Sequence, residues 1–129
     1  MRTRKPNILF FLTVLLLFSC SKKIEIVRIE KTTIEQKIKD VDGSYKLLLP
    51  KSIAEGSVSC LTYFDGCVSA HVFQVQELDF IAVEYISPEK AVASAKKIKG
   101  YALENWAFDD VSGEPALEKI IKKIGAKKY

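Results

Sequence analysis

An apolar run of eleven residues, Ile8 to Phe18, broken only by Thr13, takes the start of this chain out of any globular core. It follows a positively charged opening that holds Arg2, Arg4 and Lys5, and it ends at the small residue Ser19. Charge, apolar run and small residue, in that order, are the layout of a secretory signal. As a helix the run reaches roughly 16 Å at ~1.5 Å per residue, about half of a ~30 Å hydrocarbon core. What is left to fold is about 110 residues, enough for one domain with one modest core. Hydrophobic residues make up 48% of the chain and charged residues 28%, which is a globular composition rather than a disordered one.

The end of the run narrows the reading. Leu17-Phe18-Ser19-Cys20 resembles the lipobox of bacterial lipoproteins, in a Leu-x-Ser-Cys form similar to that of the Bacteroidota. Phe18 is bulkier than the residue usual at its position. The resemblance implies a signal peptide over residues 1–19, cleavage after Ser19, and a diacylglycerol on the Cys20 thiol. The mature protein is then one small domain over residues 20–129 with a lipidated N-terminus. Two or more acyl chains, at ~0.8 kcal/mol per buried methylene, make such an anchor durable. Ser21, Lys22 and Lys23 follow the cysteine. With neither an inner-membrane Asp nor an acidic export stretch, the resemblance implies an outer-membrane lipoprotein facing the periplasm.

Charge excludes one class of partner. The chain has 20 basic residues and 16 acidic ones, but Arg2, Arg4 and Lys5 lie in the signal, so 17 basic residues face 16 acidic ones beyond it. A nearly neutral domain offers no electrostatic footprint for nucleic acid. The expected partners are the membrane, through the lipid, and an envelope protein or glycan.

Cys60 and Cys67 remain. In an oxidising compartment an even pair reads as a disulfide, here closing a short loop. Cys60, Cys67 and His71, with Asp65, would be a metal set containing the chain's single His. No metal or cofactor is assigned on that basis.

Residues 24–29 alternate as a strand or an extended tether. Residues 34–41 and 44–49 read as a hairpin about Asp42-Gly43, with Ile38 opposite Leu47, Gln36 opposite Leu49, and Pro50 as its end. Residues 51–56 are a helical turn or a loop. Strands over 57–64 and 67–75 flank a bent loop through Tyr63, Phe64, Asp65 and Gly66. A further strand covers 78–86, with Phe80 and Ala82 on one face and Ile81, Val83 and Tyr85 on the other. The period then changes. Ser87-Pro88-Glu89 starts a helix with a narrow stripe of Ala91, Val92, Ala95 and Ile98, stopped by Gly100. A strand over 101–108 carries Trp106, and a helix over 114–124 lines up Leu117, Ile120, Ile121 and Ile124. The fold class is α+β: a mostly antiparallel sheet with two helices on one face, closing in strand–helix–strand–helix.

No catalytic residue is assigned. His71 sits in an alternating run, where a histidine is ordinarily structural, and no nucleophile elbow, P-loop or His-Glu-x-x-His occurs. Trp106, Asp109 and Asp110 are the candidate binding residues. An exposed Trp is a binding anchor, whereas a Trp in a strand is ordinarily core. Glu114 would add to an acidic patch or serve its helix start. The preferred reading is a non-enzymatic envelope lipoprotein that binds or supports a partner. The alternative is a small envelope hydrolase or carbohydrate-handling enzyme, which needs two acids to converge, such as Glu104 with Asp109 or Asp110. The terminal helix serves the core or docks on the membrane or a partner. Four large aliphatics are more than so small a domain can leave outside its core, so the core role is expected.

Overall fold

The computed structural model describes residues 28–49 and 58–129. Sequence readings that fall on the lipobox, Cys20, residues 24–27 and residues 50–57 lie outside the described residues. The elements in order are α1 (Lys31–Val41), β1 (Lys46–Leu48), a 3-10 turn (Cys60–Thr62), β2 (Cys67–Val75), β3 (Leu78–Tyr85), α2 (Pro88–Ile98), β4 (Tyr101–Leu103), β5 (Trp106–Asp109), α3 (Pro115–Lys123) and β6 (Lys127–Lys128). The six strands among the described residues form one antiparallel-paired sheet in the order β1-β2-β3-β5-β4-β6. This is an α+β fold, mostly antiparallel.

The longest pairing in the sheet is the β2–β3 hairpin. Its register sets Phe73 against Phe80 and His71 against Ala82. Gln76 and Glu77 turn the corner with positive φ. Both β3 and β4 pair antiparallel with β5, so they run parallel to each other with β5 between them, and α2 makes the connection.

Alternation along the strands divides the core into two layers. One face presents Phe73, Phe80, Tyr101, Trp106 and Phe108, and it packs against Ile34 and Ile38 of α1 and Leu117, Ile120 and Ile121 of α3. The other presents Val83, Tyr85, Ala102 and Ala107, and it packs against Ala91 and Ala95 of α2. Size is matched across each layer: large aliphatics meet aromatic rings, and alanines meet alanines. The helices at 88–98 and 115–123 therefore lie on opposite faces. The pair that shares a face is α1 and α3.

Three local expectations are corrected. Residues 31–41 form a helix rather than the first strand of a hairpin, so the Ile38–Leu47 and Gln36–Leu49 pairs do not form, and Leu47 pairs with Phe73 instead. The region before β2 is a 3-10 turn capped by Ser59 rather than a strand, and β2 pairs with β1 and β3. Residues 101–108 form a hairpin rather than one strand, turning at Glu104-Asn105, where Glu104 takes φ 49°.

The α2 start is as read: Ser87 Oγ accepts from the Lys90 amide, and Pro88 opens the helix. At its end Lys99 takes the left-handed conformation. Gly100 meets a different need, since a Cβ there would lie 2.5 Å from the Phe108 carbonyl oxygen.

Candidate functional site

Asp109 ends β5 opposite Ile81. Its carboxylate accepts from the Tyr63 hydroxyl at 2.9 Å and from the Asp110 amide at 2.9 Å. Burial, together with that hydrogen bond to Asp109, pushes the Tyr63 hydroxyl above its usual range. Asp110 follows with φ 61°. Partial burial and the neighbouring Asp109 charge raise its carboxyl above the ordinary value. Glu104 lies in the turn at the other end of β5. Asp109 ends that strand of four residues, so its three steps alone hold the two ends roughly 10 Å apart at ~3.3 Å each. Glu104 and the two aspartates therefore do not converge. Glu114 stands at the start of α3, where its side chain makes no cap hydrogen bond.

Trp106 shares β5 with Asp109 but points to the opposite face, and it is fully buried in the aromatic layer. Its indole N–H donates to the Ile29 carbonyl at 2.7 Å. It belongs to the core and leaves no surface for a ligand. Trp106, Asp109 and Asp110 do not form one site.

The fold assembles a polar cluster that the sequence reading missed. Ser69 and Glu84 are register partners, and His71 lies two residues along on the same face. The Ser69 hydroxyl donates to Glu84 Oε1 at 3.1 Å, and Arg28 Nη2 donates to Glu84 Oε2 at 3.4 Å. His71 Nε2 lies 3.1 Å from Ser69 Oγ, whose proton is committed to Glu84, so the imidazole is the donor there. The ring lies 6.3 Å from both Phe73 and Trp106. Burial, reinforced by the Lys31 charge, lowers the His71 pKa against the opposing pull of Glu84 and Glu35. A nucleophilic serine needs an imidazole that accepts its proton and an acid that orients the imidazole. Here the acid holds the serine and the imidazole donates. The cluster fixes Ser69 rather than activating it. The Ser-x-His alternation was visible in the sequence; Glu84 as its partner depends on the register.

Beside this cluster the chain enters the fold. The Ile29 amide donates to Asn105 Oδ1 at 2.6 Å, and Asn105 Nδ2 faces the Ile29 and Tyr85 carbonyls at 3.4 Å each. Asn105 is fully buried. With Trp106 it clamps the incoming segment onto the β4–β5 turn.

The disulfide joins Cys60 and Cys67, with their Cα atoms 5.5 Å apart. Its loop contains Tyr63, Phe64, Asp65 and Gly66, and within it Asp65-Gly66 makes a tight turn, with the Cys67 amide donating to the Phe64 carbonyl. The loop is tied to α2 by an Asp65–Lys90 ion pair at 2.7 Å and by Lys97 over the Phe64 ring at 4.6 Å. The hydrogen bond from Lys90 holds the Asp65 carboxyl below its ordinary value. Cys67 packs on the α2 face while His71 lies on the other, so the four donors Cys60, Cys67, His71 and Asp65 are divided. Among the described residues no group of three or more His, Cys, Asp or Glu is placed to hold a metal ion.

No protein family, curated protein or solved structure matches this chain.

Proposed function

We propose that this protein is an envelope lipoprotein, anchored through acyl groups on Cys20, whose domain binds or supports a partner and does not catalyse a reaction. The observation that carries the reading is the clamp on the incoming chain. Ile29 is held through both its backbone groups, by Asn105 and Trp106, nine residues after the lipobox cysteine. Between Cys20 and Arg28 the chain spans at most ~3.6 Å per residue, roughly 29 Å in all. A domain fixed so near its anchor meets partners in the plane of the membrane, where a weak contact gains from local concentration. No helix among the described residues is long and apolar enough to cross a membrane. In this reading the lipid is the attachment, and Ser21, Lys22 and Lys23 favour an outer-membrane, periplasm-facing position. The partner is an envelope protein or a glycan.

The separation of Glu104 from Asp109 and Asp110, and the Glu84–Ser69–His71 order, both argue against the hydrolytic alternative. The test is to fractionate cells that make the Cys20→Ala chain, then crosslink and pull down the unaltered protein from its membrane. Cys20→Ala should leave the outer-membrane fraction and lose the captured partner. A variant that stays in that fraction with its partner would refute the proposal.

A further inference from the structure

The described residues contain five exposed large hydrophobics: Leu49, Leu61, Val68, Ile86 and Tyr129. Their placement is uneven. The sheet register gathers at one end the start of β2, the end of β3, the β4–β5 turn and the start of α2. The incoming segment joins that same end, because Arg28 pairs with Glu84 and Ile29 bonds Asn105. Val68, 46% exposed, sits at the irregularity between Cys67 and Ser69. Ile86, 50% exposed, follows β3, and its amide donates to the Gly66 carbonyl at 2.9 Å. Leu61, 98% exposed, is the neighbour of Cys60, which the disulfide ties to Cys67. Tyr129 follows the edge strand β6, its amide bonded to the Gly100 carbonyl, and Leu49 follows the other edge strand β1.

We propose that Leu61, Val68 and Ile86 form a membrane-contacting surface that rests on the bilayer holding the lipid anchor. The inference builds on the anchoring reading above. A leucine almost wholly in water, on a turn closed by a disulfide, is apolar area held outward at a fixed place. The occupant follows from where the chain enters: the end bearing this surface is the end reached from Cys20 within roughly 29 Å. Two ion pairs lie there, Arg28 with Glu84 and Lys90 with Asp65, and the exposed carboxylates Glu30, Glu89 and Glu104 at the same end have no ion pair among the described residues, which disfavours an anionic surface. The contact is therefore apolar and does not need anionic headgroups. Interfacial insertion of this kind scales with the apolar area buried. It would set the orientation of the domain, turning the Gln76-Glu77 turn at the far end of the β2–β3 hairpin away from the membrane.

The experiment uses the full lipidated protein in phosphatidylcholine vesicles that carry a photoactivatable group on the acyl chains, with adducts mapped by mass spectrometry. Adducts should concentrate on residues 58–68 and 84–88, severalfold above residues 74–79 at the far end of the β2–β3 hairpin, and added salt should not reduce them. Leu61→Ser with Ile86→Ser, both at exposed positions, should lower that labelling while leaving the acylation of Cys20 intact. Even labelling of the domain, or none with Cys20 acylated, would overturn the contact alone. An unacylated Cys20 in the same spectra would overturn the anchoring reading and this one with it. Crosslinks between copies through Leu61 that persist in detergent would assign the surface to a second copy and overturn the proposal.

Discussion

Replacing Asn105 by alanine should destabilise the domain by about 2–3 kcal/mol, because a single side chain closes the joint between the incoming segment and the sheet. The Asn105 carboxamide is fully buried and accepts the Ile29 amide at 2.6 Å. Truncation leaves that N–H with no protein partner, at a cost of ~1–3 kcal/mol. The two 3.4 Å contacts to the Ile29 and Tyr85 carbonyls are long and add less. The Ile29 carbonyl keeps Trp106, and the Tyr85 amide keeps the Asn105 carbonyl, which limits the loss. For a domain of about 100 residues the expected fall in Tm is roughly 10–20 °C. Urea unfolding of residues 20–129 carrying Cys20→Ala, followed by Trp106 fluorescence, measures it. Asn105→Asp keeps the acceptor for Ile29 but sets a carboxylate against two carbonyl oxygens, so it should be no milder than alanine. Hydrogen exchange should show the Ile29 amide losing protection in the alanine variant. An unchanged midpoint with that amide still protected would refute the clamp.

Ile121 is completely buried on α3, and Ile121→Ala should cost about 2–4 kcal/mol in the same assay; an unchanged midpoint with loss of membrane or partner binding would make α3 a docking element instead. Breaking the Cys60–Cys67 bond by paired serine substitutions reopens a loop of about eight residues and should remove roughly 2.5 kcal/mol, with no change expected if reductant already leaves the parent unaffected. His71 is held below its ordinary value of 6.5, chiefly by burial, so the unfolded chain binds a proton first as the pH falls. Stability should hold above about pH 6.5, decline below it, and level off once the folded His71 is also protonated; His71→Gln should remove that portion of the slope, and an identical slope in the variant would contradict the assignment.

The legible parts of the fold were those with a local cause. Ser87-Pro88-Glu89 fixes the start of α2 through a cap and a pre-set φ. Leu117, Ile120 and Ile121 mark the buried face of α3. Alternation marks β2 and β3. For α1 the local signals conflicted. Thr32, Thr33 and Ile34 favour a strand and Asp42-Gly43 favours a hairpin turn, yet Ile34, Ile38 and Val41 are spaced four and three apart, a helical stripe that tertiary burial selects. The β4–β5 turn was hidden because Glu104, which takes positive φ, is not a residue that announces one. Helix placement is a non-local fact: amphipathicity shows that a helix buries a face, while the sizes of Ala102 and Ala107 against Phe80, Trp106 and Phe108 decide which layer receives it. The candidate site was legible only as residue types. The burial of Trp106 is not legible until the Ile29 contact is known, and Ser69, His71 and Glu84 meet only through the β2–β3 register.

The most direct test of the anchoring account is the intact mass of the protein extracted from its own membranes. The account predicts a chain that begins at Cys20, lacks residues 1–19 and carries acyl groups on that cysteine. A protein that retains residues 1–19, or that begins at Cys20 with the thiol unmodified, would contradict it.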